Sequence, residues 1–291
     1  MFKNKHSLVG LLIGCFLVSP IASAKTQVVA AENMYGALAQ QLGGEFVSAT
    51  SILNNPTQDP HLFNAAPSVA KAVADADVIV YNGIDYDNWM QKLLSVKGPK
   101  QKQIIVVADL VGAKPGMNPH LWYDPATMPL LAKTLTNTFQ ALDKANKDVY
   151  QQRLAQFLQD YQSLQADIYR LRLKFQNTPV IATESVFGYL AQALSLQMHG
   201  EALQTSLMNE TTPSPSQLKA FEDELTHRQV RLLIYNKQVS EPLVQRLIEI
   251  ASKAGIPSVG VTEIQPAGMT YVQWMRNQLG EIEKALANGS Y

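Results

Sequence analysis

Two histidines of this chain each stand directly after a proline in a polar, turn-forming stretch: Asp59-Pro60-His61 and Asn118-Pro119-His120. Each is followed by leucine and an aromatic residue, Leu62-Phe63 and Leu121-Trp122. Proline fixes its own φ and drives the residue before it out of the helical region. An imidazole just beyond such a turn is held stiffly, which suits metal ligation. The competing reading is two unrelated surface histidines in loops. His199 and His227 lack this setting and are expected at the surface or at helix caps.

Carboxylates of matching promise are Glu32, Asp109, Glu184 and Glu263. All four are expected just past the end of a strand, where open parallel sheets bind their ligands. The strands themselves are short β-branched runs. Val28–Ala31, Phe46–Ile52, Asp77–Tyr81 and Ile104–Ala108 form one set. Val180–Ala182, Leu194–Met198, Arg231–Tyr235 and Ser258–Val261 form the other. Apolar runs between amphipathic helices argue for mostly parallel sheets covered on both faces. Trp122, Tyr189 and Trp274 are expected in the core, with Trp122 close enough to His120 to help wall a cleft. Asp85 and Asp87 are expected in a solvated loop.

The two sets are copies of one unit. Thr26–Leu42 and Thr178–Leu194 align without a gap and share nine of seventeen residues, pairing Glu32 with Glu184. Val78-Ile-Val-Tyr-Asn82 matches Leu232-Leu-Ile-Tyr-Asn236, and Val106-Val-Ala-Asp109 matches Gly260-Val-Thr-Glu263. Three matches in the same order mark an internal duplication. Between the copies, residues 130–178 contain no glycine and no proline. Tyr150, Leu154, Phe157, Tyr161, Leu164, Ile168, Leu171 and Phe175 recur there at helical spacing. A single helix from Asn146 to Gln176 would run about 46 Å. The expected organisation is therefore an α/β protein of two similar lobes, residues 25–142 and 178–291, joined by a long helix within 143–177. Such a strut should limit hinge motion.

Residues 1–24 have the form of a secretory signal peptide: Lys3 and Lys5, an apolar run from Leu8 to Val18, and Ala22-Ser23-Ala24 as a cleavage site. Leu12-Ile13-Gly14-Cys15 resembles a lipoprotein signal, but Phe16-Leu17-Val18 continues the apolar run past Cys15. Cleavage after Ala24 and a periplasmic location are expected. The mature chain then lacks cysteine, so disulfides and thiolate ligands are excluded. Its near-neutral charge (24 basic against 24 acidic residues before processing) gives no basic face for nucleic acid.

Taken together these motifs resemble the metal-binding solute receptors of bacterial ABC transporters, the zinc and manganese group with the TroA-type fold. The likeness runs from about Gln27 to Ala287. It is carried by Asp59-Pro60-His61 with the Pro67-Ser68 helix start, Tyr81-Asn82-Gly83, and Asn118-Pro119-His120-Leu121-Trp122. Glu184 with Phe187-Gly188-Tyr189, Pro213-Ser-Pro-Ser216, Val261-Thr262-Glu263 and Gly268-Met-Thr-Tyr271 complete it. The resemblance implies one metal ion bound as cargo between the lobes by His61, His120, Glu184 and Glu263. It further implies delivery to a membrane permease by a monomeric receptor, with an adhesive role in some lipidated members.

The duplicate position of Glu32 makes it a candidate ligand, with hydrogen bonding to a ligand histidine's free N–H the favoured role. Asp109 is a weaker candidate for such an outer role. Many zinc-type members carry a third histidine where Glu184 stands, and a histidine-rich loop that residues 62–117 lack. Two histidines and two carboxylates resemble the manganese-type set, although zinc binds such donors tightly and iron is also compatible. Two other functions are less favoured. A metallohydrolase would need an open metal position and a base, and neither His-Glu-x-x-His nor Gly-x-Ser-x-Gly is present. A receptor for a siderophore or cobalamin would want aromatic or basic cleft walls.

Overall fold

The computed structural model describes residues 24–55, 60, 63–95, 101–208, 211–239 and 241–288. The expected signal segment and His61 lie outside the described residues. Two four-stranded sheets form the molecule. The first holds β1 (Thr26–Glu32), β2 (Val47–Leu53), β3 (Val78–Tyr81) and β4 (Gln103–Val106) in the order β2-β1-β3-β4. The second holds β5 (Pro179–Ala182), β6 (Gln197–His199), β7 (Leu233–Asn236) and β8 (Ser258–Val261) in the order β6-β5-β7-β8. Every strand pair is parallel. The internal duplication is thus a duplication of topology, strand for strand.

Parallel pairing needs helical crossovers, and these cover both faces of each sheet. That is why β1 is buried from Val28 to Glu32 without alternation. In the first lobe the crossovers are α1 (Asn33–Gly43), α2 (Pro67–Asp75) and α3 (Asn88–Leu94), and α4 (Val107–Val111) and α5 (Thr127–Leu142) follow β4. Proline at the first turn of α2 gives up an N–H that would lack a partner there in any case.

A single helix, α6 (Lys147–Phe175), joins the lobes over 29 residues, about 43 Å. Its buried stripe is Tyr150, Leu154, Phe157, Tyr161, Leu164, Ile168, Leu171 and Phe175, the same eight positions that the spacing marks. The second lobe adds α7 (Gly188–Ala193), α8 (Glu201–Met208), α9 (Pro215–Thr226), α10 (Pro242–Lys253) and α11 (Tyr271–Asn288). A capping box starts α9: Ser214 accepts from the Gln217 N–H while the Gln217 side chain accepts from the Ser214 N–H.

One apolar core runs through both lobes. It passes from Val28 and Leu38 through Tyr161 and Leu164 of α6 to Trp274 and Leu286 of α11. Tyr271 stacks on Tyr161 at 6.3 Å and donates to the Trp122 carbonyl at 2.6 Å. Tyr123 donates to the Thr262 carbonyl at 2.7 Å, again between lobes. Core packed to native density resists continuous deformation, so this seam opposes wide rotation of one lobe against the other.

Most strand ends shift by one or two residues from expectation, and at three of them the expected strand residues belong to a helix or turn. Leu194–Leu196 close α7 rather than open β6, because their N–H groups already donate to the carbonyls of Leu190, Gln192 and Ala191. Val107 and Ala108 begin α4 instead of extending β4. Phe46 belongs to a 3-10 turn, Gly44–Phe46, that precedes β2. In each case a run apolar enough for a strand is equally suited to a buried helix end.

Phe157 is 1 % exposed and Leu173, on the opposite face of α6, is 58 % exposed. Phe157→Ala is expected to cost about 3–5 kcal/mol. Leu173→Ala should stay within about 0.5 kcal/mol. Urea denaturation compares them directly, and equal losses would refute α6 as a strut packed along one stripe.

Candidate metal site between the lobes

The carboxyl ends of both sheets meet at the seam. His120 comes from the first lobe, just after Pro119, and enters a 3-10 turn at Leu121–Tyr123. Its side chain is 0 % exposed. Asn118 fixes the ring. The Asn118 amide nitrogen donates to the Ser185 carbonyl at 2.7 Å, which turns the Asn118 oxygen toward His120. That oxygen accepts from the His120 backbone N–H at 3.1 Å and lies 2.7 Å from Nδ1. An oxygen so placed assigns the proton to Nδ1 and leaves the lone pair on Nε2. Nε2 is buried and has no hydrogen-bond partner. It faces Glu263 Oε2 at 3.3 Å, also at 0 % exposure.

The second lobe clamps the loop that carries His120. Tyr189 donates to the Asn118 carbonyl at 2.8 Å, and Ser185 Oγ donates to the Asn118 side-chain oxygen at 3.2 Å. Gly188 permits the approach, since a Cβ there would stand 2.8 Å from the Asn118 amide nitrogen. From within its own lobe, Asn82 donates to the Pro119 carbonyl at 2.8 Å while accepting from the Tyr35 hydroxyl at 2.7 Å. The Asn-Pro-His turn is therefore held from both sides.

Glu184 and Glu263 follow β5 and β8 by two residues each. Asn236, the last residue of β7, joins them: its amide nitrogen donates to Glu184 Oε2 at 3.0 Å and to Glu263 Oε1 at 2.6 Å. Tyr86, from the first lobe, donates to Glu263 Oε2 at 2.8 Å. Its ring makes edge contacts with His120 and Trp122 at 5.9 and 5.0 Å. Burial, with the negative charge of Glu263 beside it, pushes the Tyr86 hydroxyl well above its usual range and keeps it a donor. Among the described residues no group of three or more His, Cys, Asp or Glu side chains could hold a metal ion on its own. His120, Glu184 and Glu263 do share one seam, and a buried imidazole nitrogen facing a carboxylate oxygen at 3.3 Å suits a cation.

The comparisons with known proteins agree with this fold. The family model of ZnuA, zinc-uptake complex component A, periplasmic, matches residues 28–285. The chain belongs to the ZnuA family.

Relatives of this ZnuA-family chain include the manganese ABC transporter substrate-binding lipoprotein PsaA of Streptococcus pneumoniae, 25 % identical and aligned over 98 % of this chain and 99 % of that protein. Another is the manganese-binding lipoprotein MntA of Bacillus subtilis, 24 % identical over 94 % of this chain and 95 % of MntA. Among solved structures, the periplasmic zinc-binding protein TroA of Treponema pallidum superposes with a TM-score of 0.76 at 18 % identity, covering 90 % of this chain and 99 % of TroA. The laminin-binding protein Lmb of Streptococcus agalactiae, described as having adhesin and metal-transporting activity, superposes with a TM-score of 0.73 at 20 % identity over 90 % of this chain and 99 % of Lmb.

The ZnuA-family chain places the other singled-out residues as follows. Glu32 is 0 % exposed at the end of β1, beside Asp87, and not on His120. Burial first, and then the Asp87 charge, raise the Glu32 carboxyl well above the usual range. Burial likewise pushes Asp87 up to about 6. One proton shared by the two carboxyls is the arrangement that suits both in a site without water. Asp109 is exposed on α4, and the structure does not bring it to the other candidates. His199 is half-buried and lies 2.5 Å from Glu224, and exposed His227 caps the end of α9. Trp122 is fully buried with its ring 5.5 Å from that of His120.

Asp87 overturns one expectation. It does not sit in a solvated loop: it is 0 % exposed and accepts the N–H groups of Asn82 and Gly83 at 2.6 and 2.8 Å. Those bonds hold a turn in which Gly83, Ile84 and Asp85 all have positive φ (83°, 42° and 65°). Such a conformation is unusual for a β-branched residue, and it swings Tyr86 into the seam. Only Asp85 faces solvent. Sequence reasoning also passed over Asn236, Asn118 and Tyr86 as working residues. The duplicated Tyr-Asn ending of β3 and β7 carried a signal for Asn82 and Asn236; nothing local marked Tyr86.

The Glu32–Asp87 pair has a pH consequence. Both groups titrate higher in the folded chain, which retains protons that the unfolded chain releases near pH 4. The stabilisation carried by Asp87 is complete below about pH 4 and is lost as pH rises through about 6, and the raised Glu32 carboxyl contributes with the same sign. Glu32→Gln, with a permanently neutral amide beside Asp87, should stabilise the protein relative to wild type more at about pH 8 than at about pH 5. Thermal melts at the two pH values test this, and a pH-independent difference would rule out the shared proton.

Proposed function

We propose that this protein is the extracytoplasmic receptor of a metal ABC transporter, capturing one Zn²⁺ or Mn²⁺ between its lobes and presenting it to a membrane permease. Family membership supports the transport role. The observation that carries the site is the buried Nε2 lone pair of His120 facing Glu263 Oε2 at 3.3 Å. Desolvating two electron-pair donors against each other is unfavourable unless a cation or proton joins them. His120 and Glu263, Glu184 on the same asparagine, and His61 after the other Pro-His turn make the proposed ligand set. Two neutral imidazoles and two carboxylates balance a divalent charge, and they bind it only when deprotonated.

Capture is ligand exchange. Side chains replace the waters of the hydrated ion, and the surrounding scaffold does no bond-breaking chemistry. With both lobes sharing a core, loading and release involve small movements at the seam, such as those of the Tyr86 turn. We take the mature protein to be cut after Ala24 and exported without a lipid at Cys15, in contrast to relatives named as lipoproteins.

Two experiments test this reading. Protein stripped with chelator should take up one equivalent of Zn²⁺ or Mn²⁺ with a higher melting temperature, and His120→Ala should weaken binding by about 100-fold or more. Uptake unchanged in that variant would remove His120 from the ligand set. Intact mass of protein exported by a bacterial host should correspond to a chain beginning at Lys25, and acyl mass on Cys15 would overturn the proposed processing.

A further inference from the structure

Just past Glu263 the second lobe is gripped by the first through a single side chain. Asn33, the first residue of α1, donates its amide hydrogen to the Gln265 carbonyl at 2.7 Å and accepts the Gln265 N–H at 3.0 Å. One half-buried side chain thus holds both polar backbone groups of a residue 232 positions away. Gln265 is itself buried, and its side chain donates to the Met269 carbonyl at 2.7 Å, which closes the turn beyond it. Before it, the N–H groups of Glu263 and Ile264 donate to the Gln238 side-chain oxygen at 2.5 and 3.2 Å. The backbone N–H groups from Glu263 to Gln265 are all tied, so a displacement of Gln265 is passed to Glu263.

The internal duplication gives this contact a counterpart. Asn33 is the copy of Ser185, as Glu32 is the copy of Glu184. Ser185 is bound to the Asn118 loop of the first lobe, and Asn33 to the Gln265 loop of the second. In each lobe the residue after the strand-end glutamate meets the loop that follows the last strand of the other sheet. One contact steadies His120 and the other steadies Glu263, the two groups that face each other at 3.3 Å.

We propose that Asn33 is a positioning residue for metal retention: its clasp on Gln265 keeps Glu263 on the ion, and opening of that clasp accompanies release. This rests on the metal-receptor reading above. His120 belongs to the first lobe and Glu263 to the second, so an ion held by both is freed when the Glu263 loop draws back from the first lobe. Tyr86 holds the carboxylate itself, and Asn33 holds the backbone behind it. The clasp is half-buried, where water can replace its two hydrogen bonds once they part, so it suits a contact that opens and recloses. Asn33 supplies no donor to the ion. Its loss changes how long the ion stays and not which groups hold it, and such changes fall on the dissociation rate.

Rates separate this role from a merely structural one. Wild type, Asn33→Ala and Asn33→Asp are loaded with Zn²⁺ and chased with excess chromophoric chelator in a stopped-flow instrument. Asn33→Ala is expected to bind one equivalent and release it about fivefold faster or more, with association changed by less than about twofold. Asn33→Asp keeps the acceptor for the Gln265 N–H but sets a second acceptor against its carbonyl, and it should release as fast as Asn33→Ala. Tyr150→Phe, which removes a hydrogen bond to Asp143 near the start of α6, is the control and should keep the wild-type rate. A smaller acceleration in Asn33→Ala, an equal one in Tyr150→Phe, or a wild-type rate in Asn33→Asp would overturn the role of Asn33 while leaving the receptor reading intact. Binding of neither Zn²⁺ nor Mn²⁺ by wild type would overturn the receptor reading itself, and this inference with it.

Discussion

At the centre of this molecule two electron-pair donors from different lobes, His120 Nε2 and Glu263 Oε2, are held 3.3 Å apart where water does not reach. Left to themselves they would turn away or hydrate. They stay because each is over-determined. The imidazole is locked by Asn118, which Ser185 and Tyr189 grip from the opposite lobe. The carboxylate is locked by Asn236 and Tyr86. Satisfied polar networks of this kind rigidify their surroundings. Much of the seam's architecture, from Gly188 to the left-handed turn at Gly83–Asp85, is legible as support for that one juxtaposition.

The frame behind it is a shared core. The buried stripe of α6 and the aromatic residues Tyr161, Tyr271 and Trp274 make both lobes parts of one apolar cluster. A rigid strut fixes the distance between the carboxyl ends of two sheets that were, in sequence, copies of each other. Duplication then supplies equivalent positions that have diverged in use. Glu184 stands at the seam, while its copy Glu32 is buried against Asp87. Asn236 joins two carboxylates, while its copy Asn82 holds the Pro119 carbonyl. Each lobe retains the same scaffold and specialises at its strand ends.

The duplication, the parallel sheets, the helical strut with its eight buried positions, and the stiff Asn118-Pro119-His120 turn were all legible in the sequence. Those features rest on local rules: periodicity reports which face is buried, proline restricts its own neighbourhood, and repetition needs only comparison. What only the tertiary structure decided was which polar groups meet. Tyr86 reaches Glu263 across 177 positions of sequence. Asp87, in a loop polar enough to suggest solvent, is drawn inside by two backbone N–H groups. Glu32, equivalent to Glu184 in sequence, ends beside another carboxyl. Such convergence depends on how finished elements dock, and no local pattern encodes the distance between groups so far apart along the chain.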